Sequence, residues 1–454
     1  MPAGGYRLDR AISPALTRGR FGCGFQALSR RSPKDPRRRA RVYLRLRYNG
    51  KRIYTNLLGK RTHMRYTFAG ESHGPCLTAI VEGVPAGLKV SETQINADLA
   101  RRQSGYGRGG RQSIERDTVE VTSGIRFGKT IGSPITLVVR NRDWANWTDR
   151  MAVFGDAPEG LVREVTPRPG HADLVGALKT NTDDCRNILE RSSARSTAAR
   201  VAAAGIAREF LADLGVEVFS YVNRIGNAEF REEDPYTECV NYTPLDIETS
   251  EVRCPNAQAT RSMIAEIERA KAARDTIGGT FRVVATGLVP GLGGYASADD
   301  RLTARIAQAL FSIQAMKGVE FGMGFEVARR LGSEVHDPIV LDRANDCFTR
   351  ASNNAGGLEG GMTTGLPLVA TVAMKPIPTL MKPLATVNLD TLEVADASKE
   401  RSDVCAVPAA AVVAEGEVAF VLANAYQEMF GGSCMADIKA NIKSYKSRLR
   451  TMSR

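Results

Sequence analysis

The sequence predicts an α+β fold for this chain of 454 residues. Short runs rich in β-branched and aromatic residues, bounded by turn residues, indicate strands. Longer stretches with apolar residues one helical turn apart indicate amphipathic helices. The hydrophobic fraction of 43% is that of an ordinary globular protein, and no apolar run approaches the 18 residues of a membrane-spanning helix.

The predicted elements follow from these patterns in chain order. The strands cover residues 66–69, 119–121, 135–139 and 281–285. The helices cover residues 91–102, 191–214, 257–274, 302–313 and 408–430. Ser91 and Gln94 match a capping box, and Pro408 suits a first helical turn. Gly416 in the last helix costs about 1 kcal/mol relative to alanine, so its presence indicates close packing.

The first 63 residues differ in charge from the rest of the chain. They hold 17 lysines and arginines and two acidic residues, whereas the remainder carries 45 basic and 48 acidic side chains. The net charge of +12 therefore comes from this leader. A basic leader can be an organellar transit peptide or a nucleic-acid-binding arm. We favour a third interpretation, in which residues 1–63 are disordered or lie upstream of a true start at Met64, and residues 64–454 form a single domain.

The eight cysteines are scattered, with no CxxC pair and no histidine at metal-ligand spacing. Neither a metal site nor a disulfide framework is predicted. Because the leader also lacks an apolar stretch long enough for a secretory signal, the expected compartment is the cytoplasm.

Two of the four histidines lie in glycine-containing turns. Ser72 and His73 follow Gly70 directly after the first predicted strand. His171 follows a Pro-Gly turn, with Asp173 two residues further on. Glycine lets the backbone approach a ligand closely, and imidazole suits proton transfer near neutral pH. Each turn alone is typical of a loop, but the two together indicate acid–base chemistry.

A glycine-rich loop after the first helix carries several arginines. Residues 101–111 read RRQSGYGRGGR and include Arg102, Arg108 and Arg111. Arginines separated by glycine suit bidentate binding of a polyanionic small molecule better than they suit a solvated face. A merely soluble loop is the alternative.

Other segments carry groups suited to an anionic or aromatic ligand. Residues 191–197 read RSSARST at a helix start, where free amides bind anions, although Ser193 could simply cap the helix. Residues 352–361 contain four glycines and two asparagines, a loop able to offer several N–H donors. Lys375 and Thr379 lie on a proline-stiffened segment, and Asp403 just precedes the last helix.

These residues together indicate a site with two imidazoles, a carboxylate, several arginines for a substrate bearing carboxylates and phosphate, and loops that hold a second anionic ligand. The two tryptophans, Trp144 and Trp147, are interpreted as packing anchors. The combination favours a cofactor-assisted lyase or transferase over a hydrolase with a catalytic triad. The sequence contains no dinucleotide-binding or P-loop fingerprint.

The motifs resemble the chorismate synthase family, in order and from Met64 to about Tyr445. The resemblance rests on GESHG at 70–74, RRQSGYGRGGR at 101–111, RPGHAD at 168–173, RSSAR at 191–195, NNAGG at 353–357 and RSDVCAVP at 401–408. It implies a β-α-β sandwich of antiparallel sheets with a helical layer, assembled as a homotetramer.

The reaction that the resemblance implies is the last common step of the shikimate pathway of aromatic amino-acid biosynthesis. 5-Enolpyruvylshikimate-3-phosphate loses phosphate from C3 and hydrogen from C6 in an anti-1,4-elimination that gives chorismate. Reduced FMN is required without net redox change, because the flavin supplies charge transiently as phosphate leaves. Since no dinucleotide-binding fingerprint is present, an external reductant or flavin reductase is expected. Neither nucleic acid nor membrane is an expected partner.

Roles for individual residues also follow from the resemblance. His73 acts as an acid toward the leaving phosphate, with Ser72 as a relay. His171 lies near flavin N1 and the C2 carbonyl, and Asp403 approaches flavin N5. The residues that bind substrate are Arg102, Arg108, Arg111, Arg195 and Arg401. The residues that hold FMN are Ser193, Ala194, Asn353, Asn354, Gly356, Gly357, Lys375 and Thr379.

The sequence departs from the family pattern at a few positions. Ser196 stands where the motif has glutamate after Ala-Arg, which removes a partner for an arginine. Thr180 replaces a tyrosine, and Gly416 and Glu417 replace an apolar pair. None of these residues has a predicted chemical role, so we expect altered local stability or FMN affinity and not lost catalysis. A flavoprotein without elimination activity and a nucleic-acid-binding protein acting through the leader are the rival hypotheses.

Overall fold

The computed structural model describes residues 43–48, 51–56, 63–110, 116–400 and 402–452, with the backbone alone described for the first two segments and for residues 451–452. The chain divides into two units, residues 1–59 and residues 60–454. In the first unit, β1 (Tyr43–Tyr48) and β2 (Lys51–Asn56) pair antiparallel. No strand was predicted in this segment from the sequence.

The second unit contains two main sheets and several two-stranded hairpins. Its strands are β3 (Arg65–Ala69), β4 (Cys76–Glu82), β5 (Val119–Val121), β6 (Ile125–Arg126), β7 (Lys129–Thr130), β8 (Ile135–Arg140), β9 (Glu217–Ile225), β10 (Ala228–Glu229), β11 (Gly279–Thr286), β12 (Met316–Phe321), β13 (Ile339–Asp342), β14 (Cys347–Arg350), β15 (Leu358–Glu359), β16 (Met362–Thr363), β17 (Leu368–Met374), β18 (Ala385–Val387) and β19 (Val394–Asp396).

The helices stand in the sequence singly or in groups of two or three, between runs of strands. Their bounds are α1 (Glu92–Gln103), α2 (Asp173–Thr180), α3 (Arg186–Ser192), α4 (Thr197–Ala212), α5 (Pro244–Glu248), α6 (Ala257–Ala272), α7 (Leu302–Phe311), α8 (Gly332–Val335), α9 (Val407–Phe430) and α10 (Met435–Met452). Short 3₁₀ helices lie at Arg142–Asn146, Ala194–Ser196, Glu238–Asn241 and Gly324–Arg329.

The two main sheets enclose a helical layer. One sheet has the strand order β3-β4-β8-β5, the other the order β10-β9-β11-β17-β12, and every pairing between these strands is antiparallel. Helix α4 packs against the first sheet and α9 against the second, while α4, α9 and α1 pack on one another. The predicted α+β class, with antiparallel sheets and a helical layer, is confirmed.

Helix α9 lies in this central layer. By length and composition it is the helix, among the described residues, that could cross a membrane, but 89% of its apolar window is buried inside the protein, as in a core helix. A Cβ at Gly416 would lie 2.5 Å from the Cβ of Ala204 on α4. The predicted close packing at Gly416 is therefore confirmed, and it explains why glycine is kept there despite its low helix propensity.

The predicted helix over 191–214 is broken in the structure. Ser193 has φ −58° and ψ 142°, an extended conformation that ends α3, and its side chain accepts a hydrogen bond from the amide of Arg195. A 3₁₀ turn then leads into α4. The break occurs because a serine hydroxyl that caps the next turn competes with continuous helical hydrogen bonding.

Candidate active site

The turn at residues 70–75 connects β3 to β4 and is held by its surroundings. Gly70 has φ +108°, and a Cβ there would lie 2.4 Å from the carbonyl oxygen of Cys76, so glycine is required. Asn141 Nδ2 donates to the carbonyls of Glu71 at 3.2 Å and Gly74 at 2.6 Å. The turn therefore presents its serine and histidine from a fixed backbone.

His73 is buried and paired with Glu190 at the end of α3. Its Nδ1 lies 2.8 Å from Glu190 Oε1, and its backbone amide donates to Glu190 Oε2 at 2.7 Å. The ring stacks on Trp147, with centroids 3.8 Å apart and planes 24° apart. Trp147 therefore has the packing role that was predicted for it. The side chain on which it packs is a candidate catalytic residue.

Of the two residues in this pair, His73 was identified from the sequence and Glu190 was not. Burial raises the pKa of its carboxyl, but the hydrogen bonds and charge of His73, with Arg186 nearby, bring it below its ordinary value. Glu190 is therefore an anion at neutral pH. The available signal was an acidic residue directly before the RSSAR motif.

Ser72 connects the histidine turn to the 3₁₀ turn before α4. Ser72 is 1% exposed, and its Oγ donates to Ser193 Oγ at 3.1 Å. Gln314 packs on the same turn, with Nε2 donating to the carbonyl of Ser193 at 3.4 Å and to Ser196 Oγ at 3.0 Å. Its buried Oε1 has no hydrogen-bond partner among the described residues. Sequence reasoning assigned Gln314 no role.

Asp117 gathers two of the predicted substrate-binding arginines. Arg195 Nη1 donates to its Oδ1 at 2.7 Å, and Arg102 Nη2 donates to its Oδ2 at 2.7 Å. Arg195 Nε also donates to Asn141 Oδ1 at 2.8 Å, which links the cluster to the histidine turn. Asp117 carried only a weak signal, an acidic residue soon after an arginine-rich loop.

Arg108 extends this cluster to Asp403. Arg108 Nη1 lies 2.8 Å from Asp403 Oδ2, and the amide of Gly109 donates to Asp403 Oδ1 at 2.6 Å. Burial, with the charges of Arg195 and Arg108, lowers the pKa of Arg102 to about 10 although Asp117 opposes the change. Burial is the main cause of the lowered pKa of Arg102, and the charges of its neighbours add to it, since three guanidiniums share the two carboxylates of Asp117 and Asp403.

His171 lies in a second polar cluster at the start of α2. Its Nδ1 lies 2.5 Å from Asp173 Oδ1 and 3.1 Å from Arg168 Nη2. Arg168 also donates to Asp173 Oδ2 at 2.8 Å and to Thr379 Oγ1 at 2.9 Å. Burial raises the pKa of Asp173, but the hydrogen bonds of His171 and Arg168 hold it well below its ordinary value. A charged carboxylate therefore orients this imidazole too.

Lys375 joins the second cluster from the end of β17. Its Nζ donates to the carbonyl of Gly170, in the turn before His171. Burial and the nearby charge of Lys317 lower the pKa of Lys375. The backbone amide of Lys375 donates to the carbonyl of Ala315 at 3.0 Å, so the turn that carries Gln314 also contacts this strand.

The loop at residues 353–357 differs from the expectation that it offers free N–H donors. The amides of Asn354 and Ala355 donate to the carboxylate of Asp337 at 2.7 and 2.9 Å. The amide of Gly357 donates to Asn353 Oδ1 at 2.7 Å, and that of Gly356 to the Asn353 carbonyl at 2.9 Å. The asparagine that suggested ligand binding thus stabilises its own loop, because a buried amide must be hydrogen-bonded.

A cavity of about 450 Å³ lies beside this loop, with Asp337, Asn354 and Ala355 in its wall. Neither His73 nor His171 lines it.

Three further predicted site residues remain to be located. Ala194 lies in the 3₁₀ turn after Ser193. Arg111 and Arg401, both predicted to bind substrate, lie outside the described residues.

The fold and site define an α+β enzyme that handles a polyanionic substrate, with two imidazoles each oriented by a buried carboxylate. Comparisons with known proteins agree. A sequence model of the family described as chorismate synthase matches residues 64–427. The chorismate synthase of Syntrophotalea carbinolica is 54% identical over 84% of this chain and 97% of its own length. That of Bacillus subtilis is 50% identical over 85% of this chain and all of its own length.

A solved structure titled "Crystal Structure of Chorismate Synthase" superposes with a TM-score of 0.70 and 41% identity, covering 86% of this chain and 99% of that one. The chain therefore belongs to the chorismate synthase family. Its activity is that of a carbon–oxygen lyase of the shikimate pathway, which converts 5-enolpyruvylshikimate-3-phosphate to chorismate with reduced FMN as cofactor.

Proposed function

We propose that the elimination takes place where Arg102, Arg108 and Arg195 meet the turn of Ser72 and His73. The observation that carries this proposal is the sharing of two carboxylates by three buried guanidiniums next to a buried His–Glu pair. The substrate bears a phosphate and two carboxylates, about four negative charges, and needs such an excess of positive charge. Arg111 and Arg401 are proposed to add to it.

His73 is proposed to donate a proton to the leaving phosphate. Glu190 accepts from Nδ1, so it orients the ring and stabilises the protonated imidazole, and Nε2 is then the nitrogen that transfers the proton. Ser72 is the proposed relay, supported by its burial and its hydrogen bond to Ser193. Stacking on Trp147 limits rotation of the ring.

His171 and Asp403 are proposed to act on the flavin side of the reaction. The bound cofactor supplies negative charge transiently to the substrate as phosphate leaves. His171, held by Asp173, would offer a proton or positive charge near flavin N1 and the C2 carbonyl. Asp403, held by Arg108 and the amide of Gly109, would assist removal of the C6 hydrogen near flavin N5.

The donor set fits FMN. Lys375, Thr379 and the hydroxyl of Ser193 are donors suited to phosphate and ring oxygens, and Ala194 follows in the same turn. The buried Oε1 of Gln314 has no partner among the described residues, and it is an acceptor that a ring N–H would satisfy. Asn353, Asn354, Gly356 and Gly357 are proposed to contact FMN through groups other than the amides that Asp337 and Asn353 already occupy.

We also propose a homotetramer. The hairpin of β13 and β14 supports it, because Ile339 and Phe348 are 68% and 56% exposed there. Val340 and Leu341 on the same hairpin are each 40% exposed, so the hairpin carries an apolar patch, and such patches suit a contact with a second copy. Analytical ultracentrifugation of wild type and Phe348→Glu measures the mass of the assembly. We expect the mass of a tetramer for wild type and a smaller mass for the variant, and an unchanged mass for the variant would contradict the location of the contact.

Residues 64–454 are proposed to contain all of the catalytic machinery, with FMN reduced by an external reductant or reductase. The match of the family to residues 64–427 supports the first point. A cytoplasmic location is proposed as well, supported by the seven cysteines of the described residues, which are free thiols.

The decisive test is chorismate formation from 5-enolpyruvylshikimate-3-phosphate under anaerobic conditions. One arm contains FMN reduced by dithionite and the other FMN with NADPH alone. We expect activity only with dithionite, whereas activity in both arms would contradict the need for an external reductase.

His73→Ala and His171→Ala should each lower kcat by about 100-fold or more, and His63→Ala is the matched control. Wild-type turnover in both variants would contradict the proposed roles.

A further inference from the structure

Arg200 on α4 has a buried guanidinium that is neutralised from another helix. It is 5% exposed, and its Nε donates to Glu417 Oε1 on α9 at 2.8 Å. The hydroxyl of Tyr66 donates to the same oxygen at 2.6 Å. Burial alone would lower the pKa of Arg200, but the hydrogen bond and charge of Glu417 raise it. One turn earlier on the chain stands Ser196, which carries no charge.

The same guanidinium holds the turn that follows α7. Arg200 Nη1 donates to the carbonyl of Ser312 at 2.9 Å, and Nη2 donates to Ser312 Oγ at 2.5 Å. Two residues on, Gln314 donates to the carbonyl of Ser193. The carbonyl of Ala315 then accepts from the amide of Lys375. The turn at residues 312–315 therefore bridges Ser193 and Lys375, both with proposed flavin roles.

This turn needs support from its surroundings. Ala315 has φ +68°, in the left-handed region that residues with a Cβ adopt at a cost. Such a conformation persists where neighbouring contacts determine it. The planar fork of Arg200, fixed on its Nε side by Glu417, supplies two of these contacts.

We propose that Glu417 is a positioning residue for the flavin side of the site, acting through Arg200 on the turn at 312–315, and that it takes the place of a carboxylate at position 196. This inference rests on the proposed roles of Ser193 and Lys375. A glutamate at 196 would stand four residues before Arg200, the favourable orientation for such a pair. In this chain the carboxylate that neutralises Arg200 stands on α9 and not at the start of α4.

The test measures FMN binding by quenching of flavin fluorescence, with folding followed by circular dichroism. Glu417→Ala should weaken FMN binding about 10-fold. Ser196→Glu combined with Glu417→Ala should restore it to within about threefold, because the new carboxylate reaches Arg200 as the old one is removed. Wild-type affinity in Glu417→Ala, or no recovery in the double variant, would overturn the proposal.

Glu415→Gln is the matched control, since it removes a buried carboxylate two residues away that does not contact Arg200. It should lower stability and leave FMN affinity within about threefold of wild type. Should Glu417→Ala not fold, Arg200→Lys keeps the charge beside Glu417 but loses the fork on Ser312. It should bind FMN about 10-fold more weakly, and wild-type affinity would overturn the proposal.

Lys375→Ala separates this inference from the function on which it rests. Unchanged FMN affinity in Lys375→Ala would contradict the proposed flavin site itself. Weakened binding in Lys375→Ala together with wild-type binding in folded Glu417→Ala would contradict only the role of Glu417.

Discussion

Nδ1 of each candidate catalytic histidine is hydrogen-bonded to a buried carboxylate that stays charged. Glu190 faces His73 and Asp173 faces His171, and both carboxyl pKa values lie below their ordinary range despite burial. The two arrangements differ in chain distance, since Asp173 is two residues from its histidine and Glu190 is 117 residues away. Local spacing made Asp173 predictable, whereas Glu190 reaches His73 only through the docking of α3 on the turn.

At the residue scale, Glu190→Gln should lower kcat about 10- to 100-fold with little change in KM. The glutamine side chain of the variant can still orient His73, but it has no charge to stabilise the protonated imidazole. Proton transfer is therefore slowed more than substrate binding is weakened. Steady-state kinetics at saturating reduced FMN measure this. Glu164→Gln is the control, because Glu164 pairs with Arg186 without contacting His73. A Glu190→Gln enzyme with wild-type kcat would exclude the role in proton transfer.

At the scale of elements, α9 combines an apolar surface with two buried carboxylates. Glu415 is fully buried and accepts hydrogen bonds from Arg101, Arg253 and Ser220. Arg101 directly precedes Arg102, so this ion cluster fixes the end of α1 that leads into the arginine-rich loop. Gly416 and Glu417 belong to the same turn, and both contact α4, Gly416 through Ala204 and Glu417 through Arg200. Charge pairing with Arg101, Arg208 and Arg200 therefore explains the two carboxylates in a core helix.

The pH dependence of stability should report on Glu415. Burial raises the pKa of its carboxyl, but Arg101, Arg208 and Arg253 lower it to about 2, against 4.5 ordinarily. Because the folded state keeps the charge at pH values where the unfolded chain takes up a proton, this contribution is complete above about pH 4.5 and is lost as pH falls toward 2. Glu415→Gln should cost about 3–5 kcal/mol at pH 7.

Urea unfolding at pH 7, 4.5 and 3 measures the difference between wild type and Glu415→Gln. The difference should shrink below pH 4.5, and a constant difference would contradict the assignment. Glu428→Gln on the same helix serves as the control, because Glu428 pairs with Arg305 at the surface and should contribute about 0–1 kcal/mol at each pH.

At the scale of the whole molecule, the net positive charge and the proposed catalytic residues lie in different parts of the chain. The leader carries the positive charge, while the family match and the site begin at residue 64 or later. Inside the second unit, positive charge is concentrated locally around Asp117 and Asp403 even though the remainder of the sequence is slightly acidic. Substrate attraction therefore depends on the local cluster and not on net charge.

A protein that begins at Met64 should keep kcat/KM within about twofold of the full chain, because no residue with a proposed role precedes it. Any binding of RNA or DNA by the full chain should be strongly salt-dependent and should be lost on truncation. Activity assays and nucleic-acid titrations at two salt concentrations, run on both proteins, measure these effects. Nucleic-acid binding that persists after truncation with little salt dependence would contradict the account of the leader.

From the sequence alone follow the α+β class, the two histidine turns, four of the strands, the positions of α1, α6, α7 and α9, and the close packing at Gly416. These features depend on periodicity, turn chemistry and near neighbours, which the chain order specifies directly. The carboxylates that hold the site could be identified only in the folded chain, since Glu190, Asp117 and Glu417 reach their partners from distant segments. The tertiary structure also decided that the amides of the 353–357 loop bond to Asp337 and Asn353, because hydrogen-bond partners of a buried backbone depend on what packs beside it.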